Sequence, residues 1–301
     1  MIEAFNPTAQ IFLAGMNNIQ ARLTRAQTQL TTGLRINTAA DDPNALGDLY
    51  EVRSNLAQVN QITSNLGLVS TEVNTAQGAV SNAVTLLDSV TTLATQAEPN
   101  TQSAATRAQI AQEVGSHLQE MVALANTNVG NRYVFSGDSD QTKAYTVDLT
   151  QTNPVSAYQG TDATRQVQSP DGSTFPVSLT AKQIFDSSDP TTSVFGTITS
   201  LYNALQNNNQ AGIDTAITNL QSTSTYLNTQ LAFYGTVQDR VASATTFGAN
   251  LTTQLQTQQS GIQDANAAQA ITDMTMATTD EQAALEAEKQ IPRTTLFDLL
   301  G

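Results

Sequence analysis

The sequence has no cysteine and no tryptophan, one histidine, and only 12 lysines and arginines against 26 acids. Without cysteine there is no thiol nucleophile, no thiolate-held zinc and no disulfide framework, and the chain is indifferent to the redox state of its compartment. His117 has no second His or Cys to complete a ligand set and lies beside an apolar helical stripe, so a structural place is its reading. A net charge of −14 argues against nucleic acid as a partner, because neutralising phosphates takes clustered Lys and Arg. Three lysines, Lys143, Lys182 and Lys289, make no polybasic membrane patch. No run of about 18 apolar residues could span a bilayer, so a membrane partner is not expected either. The opening MIEAFNPTAQIFLAGMNNIQ lacks a basic n-region and a continuous apolar h-region. If this protein is exported, the expectation is a route other than the general secretory one.

Catalytic signatures are also wanting: no HExxH, GxSxG, Walker-type or dinucleotide-binding glycine pattern occurs. Asp138 and Asp140 in SGDSDQT have the look of a calcium-loop fragment but lack its central Gly and closing Glu, which leaves a turn. Neither an enzyme nor a bound cofactor or metal is expected. Aromatic residues make up only 5% of the chain, so stability is expected to rest on small side chains along long seams rather than on large buried rings.

What is present is heptad spacing. Phe12, Met16, Ile19, Leu23, Ala26 and Leu30 recur at alternating gaps of four and three, a coiled-coil seam that Gly33 ends. Leu49, Val52, Leu56 and Val59, then Val73, Ala76, Val80, Ala83, Leu87, Val90 and Ala94, predict a helix of about 55 residues and about 80 Å, stopped by Glu98-Pro99-Asn100. Ile110, Val114, Met121 and Leu124 mark a third helix. Residues 137–195 change character: four prolines together with Gly160 and Gly172 punctuate short alternating runs, which read as a small β-rich insert. Helix resumes near 195, one register runs from Ile213 to Ile262, and a weaker helix carries Ile271, Met274, Ala277, Ala284 and Ile291 before Pro292 and the closing TLFDLLG.

The fold class is therefore mainly α: long antiparallel heptad helices from both chain ends, forming a coiled-coil or helical bundle, around a small β-rich inserted domain. The expected division is 1–40 with 265–301 as a terminal coiled-coil segment, 41–136 with 196–264 as a long-helix bundle, and 137–195 as the insert. Residues 1–40 hold three arginines against one glutamate, and 264–301 hold seven acids against two bases, which favours side-by-side pairing of the two ends. The candidate assembly residues are the terminal seam: Phe12, Met16, Ile19, Leu23, Leu30, Ile271, Met274, Ile291, Leu296, Phe297, Leu299 and Leu300. These seams are thin in large side chains, so the terminal segments are expected to be poorly ordered in a monomer and to fold fully against neighbouring subunits.

The stretch TTGLRINTAADDPNALG raises the one question of chemistry, since Asp41 and Asp42 adjoin in a chain with little charge. Asp42 precedes Pro43 at the start of the long helix, where Asp suits the N-cap and Pro the first helical position, and Asp41 adds negative charge at the positive end of the helix dipole. Arg35 is available to these acids or to a neighbouring subunit.

QLTTGLRINTAADDP (29–43) resembles the N-terminal signature of the bacterial flagellin superfamily, and GIQDANAAQAITDMTMATTDEQAALEAEKQIPRTTLFDLLG resembles its C-terminal one. Within it, ANTNVGNRYVFSGDS (125–139), AYQGTDATRQVQSPDGSTFPVSLTAKQIFDS (157–187) and the ending LFDLL are most similar to the hook–filament junction branch. GLRIN reads more like filament flagellin, and Gly130-Asn131 stands where the junction pattern has Asn-Gly. The resemblance implies a non-catalytic axial protein of the flagellum, its termini lining a tube and its insert outward. It further implies type III export, and as partners itself in a ring or helical layer, hook-associated protein 1, flagellin and an export chaperone. Filament flagellin is the alternative, and a secreted helical adhesin or coiled-coil module a more distant one.

Overall fold

The computed structural model describes residues 7–290, and the element order is helical except at its centre. Helix α1 (Pro7–Thr32) is followed by α2 (Pro43–Ala97) and α3 (Ala104–Ala125); two short hairpins and a one-turn helix come next; α5 (Val194–Gln206), α6 (Gln210–Gln263) and α7 (Ala267–Gln290) complete the order. The chain forms two compact units, one of residues 1–58 with 252–301 and one of residues 59–251.

In the unit of residues 59–251, the predicted seam of α2 is unbroken. Val59, Ile62, Leu66, Val69, Val73, Ala76, Val80, Ala83, Leu87, Val90, Ala94 and Ala97 are all buried, at gaps of three and four throughout. Helix α6 answers with Ile213, Leu220, Leu227, Tyr234 and Val241, every second member of the register counted from the sequence. Ser103 starts α3 by accepting the amide of Thr106 at 3.1 Å.

The insert departs from expectation in two ways. Its strand content is small: β1 (Asn128–Val129) pairs with β2 (Arg132–Tyr133) just ahead of it, and within it only β3 (Gln166–Gln168) pairs with β4 (Thr174–Pro176), with α4 (Ala181–Phe185) after them. The run Tyr145–Leu149 yields only an isolated bridge, Val147 to Val155. Pro154 beside it has no amide to extend the ladder, and Asp148 turns the chain by accepting from the Thr150 amide at 3.0 Å. Secondly, the few aromatic residues are concentrated where composition alone disfavoured them. Phe135, Tyr145, Phe185 and Tyr234 are the bulkiest fully buried side chains, and with Phe195 they pack as ring pairs 4.9–6.4 Å apart. The small-side-chain seam expected from composition is there along α2, and beside it a local cluster of large rings adds to this unit's core. Burial pushes the phenols of Tyr145 and Tyr234 well above the ordinary tyrosine range and that of Tyr158 up to about 12.

Two turns, one just ahead of the insert and one at its start, depend on left-handed backbone. Gly130 and Asn131 both have positive φ, 56° and 66°, which is the two-residue turn a tight hairpin requires in either order of Asn and Gly. At Gly137 (φ 63°) a Cβ would lie 2.3 Å from the Thr161 carbonyl oxygen, so glycine is obligatory.

In the unit of residues 1–58 with 252–301, α1 packs on α7. Phe12, Met16, Ile19, Leu23 and Leu30 are half-buried, and among the described residues of α1 only Ala26 is fully covered. On α7 the covered positions are Ala270 and Ala277, with Met274 and Ala284 half-buried. Ile271 lies off this seam and is 52% exposed: the stripe runs through 270, 274, 277, 281 and 284, so alanine takes the place the isoleucine was expected to fill. Ile291, Leu296, Phe297, Leu299 and Leu300 lie outside the described residues.

Candidate assembly surface

The two terminal signatures meet. Gly33, at φ 72°, closes α1 with its amide on the Gln29 carbonyl at 2.9 Å and turns the chain into residues 34–42. Across from it, α6 ends at Gln263 and α7 begins at Ala267, after Asn266 accepts the Gln269 amide. Leu34 and Asp264 form an antiparallel bridge. The Arg35 amide donates to Gln263 O at 2.6 Å and the Ala265 amide to Gly33 O at 2.8 Å, so each loop saturates the other's backbone.

Side chains reinforce the clasp. The Arg35 guanidinium donates to Asp42 Oδ2 at 2.7 Å and to the Ile262 carbonyl at 2.7 Å, the latter at the carbonyl-rich end of α6. Asp42 also accepts the Ala45 amide through Oδ1 at 3.2 Å, directly before Pro43 opens α2. Of the two partners open to Arg35 on sequence, the acid of its own chain is engaged. Asp41 does different work: one carboxylate oxygen accepts the amides of Asn37 (3.0 Å) and Thr38 (2.7 Å) and the Thr38 hydroxyl. Both acids are held below the ordinary aspartate range, Asp41 chiefly by the Thr38 amide and Asp42 chiefly by Arg35. A residue with no motif to announce it completes the site: Gln263, 6% exposed, takes a hydrogen bond from Arg53 at 2.9 Å and gives one to the Ile36 carbonyl.

Away from this clasp, along α1 and α7, large apolar side chains face outward. Ile11 (74%), Leu13 (59%), Met276 (54%) and Leu285 (45%) join Ile271 as exposed large side chains of α1 and α7. Among the described residues one ion pair links the two helices, Arg22 to Asp280 at 2.9 Å.

The remaining candidates lie elsewhere. His117 on α3 is within 3.4 Å of Glu120. Asp140 pairs with Arg132 at 2.6 Å, whereas Asp138 uses only its amide, on the Thr161 hydroxyl. Arg107 is a polar anchor that motif reading passes over: 4% exposed, it donates to the carbonyls of Ala97 (3.1 Å) and Pro99 (3.2 Å), the side chain of Asn208 and that of Gln210. Its position three residues before Ile110 on the α3 stripe was the available signal.

Comparison with known proteins agrees with this arrangement. The bacterial flagellin N-terminal helical region matches residues 5–140 and the bacterial flagellin C-terminal helical region matches residues 210–300. A flagellin of Clostridium tyrobutyricum is 32% identical over 131 residues, 44% of this chain and 35% of that protein. The flagellar hook-associated protein 3 of Salmonella typhimurium is 26% identical over 176 residues, 58% of this chain and 54% of that protein. The chain thus spans about a third to a half of these relatives' lengths. A solved structure of a candidate flagellar hook-associated protein from Vibrio parahaemolyticus shares the fold, with a TM-score of 0.66 at 16% identity over 74% of this chain and all of that one. With the two helical regions flanking the insert in the same order, the chain belongs to the bacterial flagellin family.

Proposed function

We propose that this chain is a structural axial protein of the bacterial flagellum that forms the junction between hook and filament, on which flagellin polymerises. The observation that carries the reading is the pairing of the two chain ends: α1 and α7 share a thin seam, leave large apolar side chains exposed, and are joined by a clasp built from both signatures. Such a pair gains burial by packing against further copies. The match to the Salmonella typhimurium hook-associated protein 3 spans 176 residues and 54% of that protein, against 131 residues and 35% for the Clostridium tyrobutyricum flagellin. This span supports the junction over the filament, although the flagellin is the more identical of the two. In this reading residues 1–40 and 265–301 make the axial contacts, 41–136 with 196–264 form the supporting bundle, and 137–195 is the outward insert. The partners are copies of the chain, hook-associated protein 1 below and flagellin above, with a chaperone before type III export; no catalysis is involved.

A clean deletion, followed by electron microscopy and assay of flagellin in the medium, tests the reading. Hooks without filaments, with flagellin monomers shed into the medium, are expected. Bare hooks with no flagellin in cells or medium would make the chain the filament subunit itself, and intact filaments would overturn both assignments.

A further inference from the structure

Helix α1 has two working faces. The seam residues from Phe12 to Leu30 face α7, while Ala21, Thr24, Arg25 and Thr28 fall on the opposite side at helical spacing. That opposite side forms one wall of a groove of about 430 Å³, whose other wall is the signature loop at Arg35, Asn37, Thr38 and Asp41. Three charged groups face the groove, and two are already spent: Arg35 holds Asp42, and Asp41 holds the Asn37 and Thr38 amides. Arg25 is exposed and makes no ion pair among the described residues; its charge acts on Asp41 across the groove only at a distance, as a minor influence beside the Thr38 amide.

Helix α7 is arranged in the complementary sense. Its seam runs through Ala270, Met274, Ala277, Glu281, Ala284 and Glu288, all turned toward α1 and at least half-covered. Thr279, Gln282, Ala283 and Glu286 occupy the outward side, where Glu286 is the one carboxylate. Within a chain Arg25 and Glu286 therefore stand on opposite outer faces of the same helix pair and cannot meet.

We infer that the groove behind α1 receives the outward face of α7 from a second copy of this chain, with Arg25 of one copy paired to Glu286 of the next. The inference rests on the axial reading above and adds to it the polarity of the contact. Because the two faces differ, the interface is heterologous, the kind that propagates into a ring or helical layer, and a symmetric dimer cannot use it. The register follows as well. Arg22 meets Asp280 across the antiparallel pair, so Arg25 stands level with position 277; Glu286 lies nine residues on, which sets neighbouring copies about 13 Å apart along the axis.

The absence of native cysteine makes the test direct. Chains carrying Thr28→Cys and chains carrying Ala283→Cys, distinguished by tags, are produced together; the external appendages are sheared off and oxidised. These positions stand in the same nine-residue offset as Arg25 and Glu286. The expected product is a mixed cross-linked species at twice 31.9 kDa, with no Thr28→Cys homodimer. Adding Arg25→Glu should lower the mixed yield about tenfold or more, and placing Glu286→Arg on the partner chain should restore it. Appendages that contain both chains but give homodimers or no cross-link overturn the inference and leave the axial reading standing. Absence of the unsubstituted chain from the sheared fraction overturns both.

Discussion

The two units are built from the same device, an apolar stripe repeating every three and four residues, and they use it to opposite ends. In the unit of residues 59–251, the α2 stripe is buried at every turn and capped by a cluster of rings around Phe135, Phe185 and Tyr234. Where α1 meets α7, the stripe is equally regular, yet its members are half-covered, the covered residues are alanines, and the large side chains Ile11, Leu13 and Met276 face solvent. Periodicity sets which way a helix faces; side-chain volume sets whether that face is satisfied inside one chain. A seam lined with alanine leaves apolar area for another molecule to cover.

Truncation at matched positions should expose this difference most strongly. Phe135→Ala removes a ring packed edge-on against two others, and a loss of about 3–5 kcal/mol is expected, read as a fall of about 10 °C or more in the midpoint of thermal unfolding followed by near-ultraviolet circular dichroism. Leu23→Ala, in the half-buried α1 seam, should move the same transition by no more than about 1.5 kcal/mol. Equal losses would mean that the α1–α7 seam is a finished core. The polar anchors make a second, smaller contrast. Arg107→Met leaves the carbonyls at the end of α2 without their donor and should cost about 1–3 kcal/mol. Arg22→Ala breaks a pair whose side chains are both 49% exposed, and at most about 1 kcal/mol is expected.

The contrast also marks what could be read in the sequence. Helix faces were legible because a three-four repeat admits one burial pattern: the α2 seam and the α6 register from Ile213 to Ile262 appear in the structure with the spacing counted from the letters. The Asp42-Pro43 start was legible because capping is local chemistry. The aromatic cluster was not, since 5% aromatic content says nothing about where those residues gather: Phe135, Tyr145 and Tyr234 are brought together by contacts distant in sequence. Ile271 was placed on the seam because it is the larger residue, whereas α7 keeps the smaller Ala270 there and turns the isoleucine out. The clasp was illegible for the same non-local reason, as nothing in GLRIN points to Gln263 more than two hundred residues away.

Amide exchange sharpens the comparison without altering the chain. In a dilute monomer the amides of α1 near Leu23 and of α7 near Met274 should exchange faster than those near Val80 by about two orders of magnitude or more, because a half-covered pair of helices opens locally before the bundle does. Comparable protection in the two places would show that the terminal pair is finished without neighbours, and the argument from exposed apolar area would fail with it.

The finest distinction is chemical. The clasp of residues 33–42 rests on two carboxylates held below the ordinary aspartate range, Asp41 mainly by the Thr38 amide and Asp42 mainly by the Arg35 guanidinium. With the folded value depressed, the unfolded chain takes up these protons first as acid is added. The contribution of each group is therefore complete above the ordinary value of about 3.9 and is lost as the pH falls through the lower, folded value. No comparable dependence is expected of the ring cluster, whose phenols are neutral throughout that range. The Thr38 amide, bonded 2.7 Å from Asp41 Oδ2, is the natural reporter. Its NMR shift should titrate with a midpoint below about 3.9, while near-ultraviolet dichroism from the aromatic core stays constant over the same interval. Asp42→Asn should remove the ionic hold on Arg35 and leave the Thr38 midpoint in place, since Asp41 draws its depression chiefly from its own turn, with a smaller influence from Arg25. A midpoint at or above 3.9 would mean that the turn is not formed in solution, and the clasp would then need a neighbouring copy to close it, just as the α1–α7 seam does.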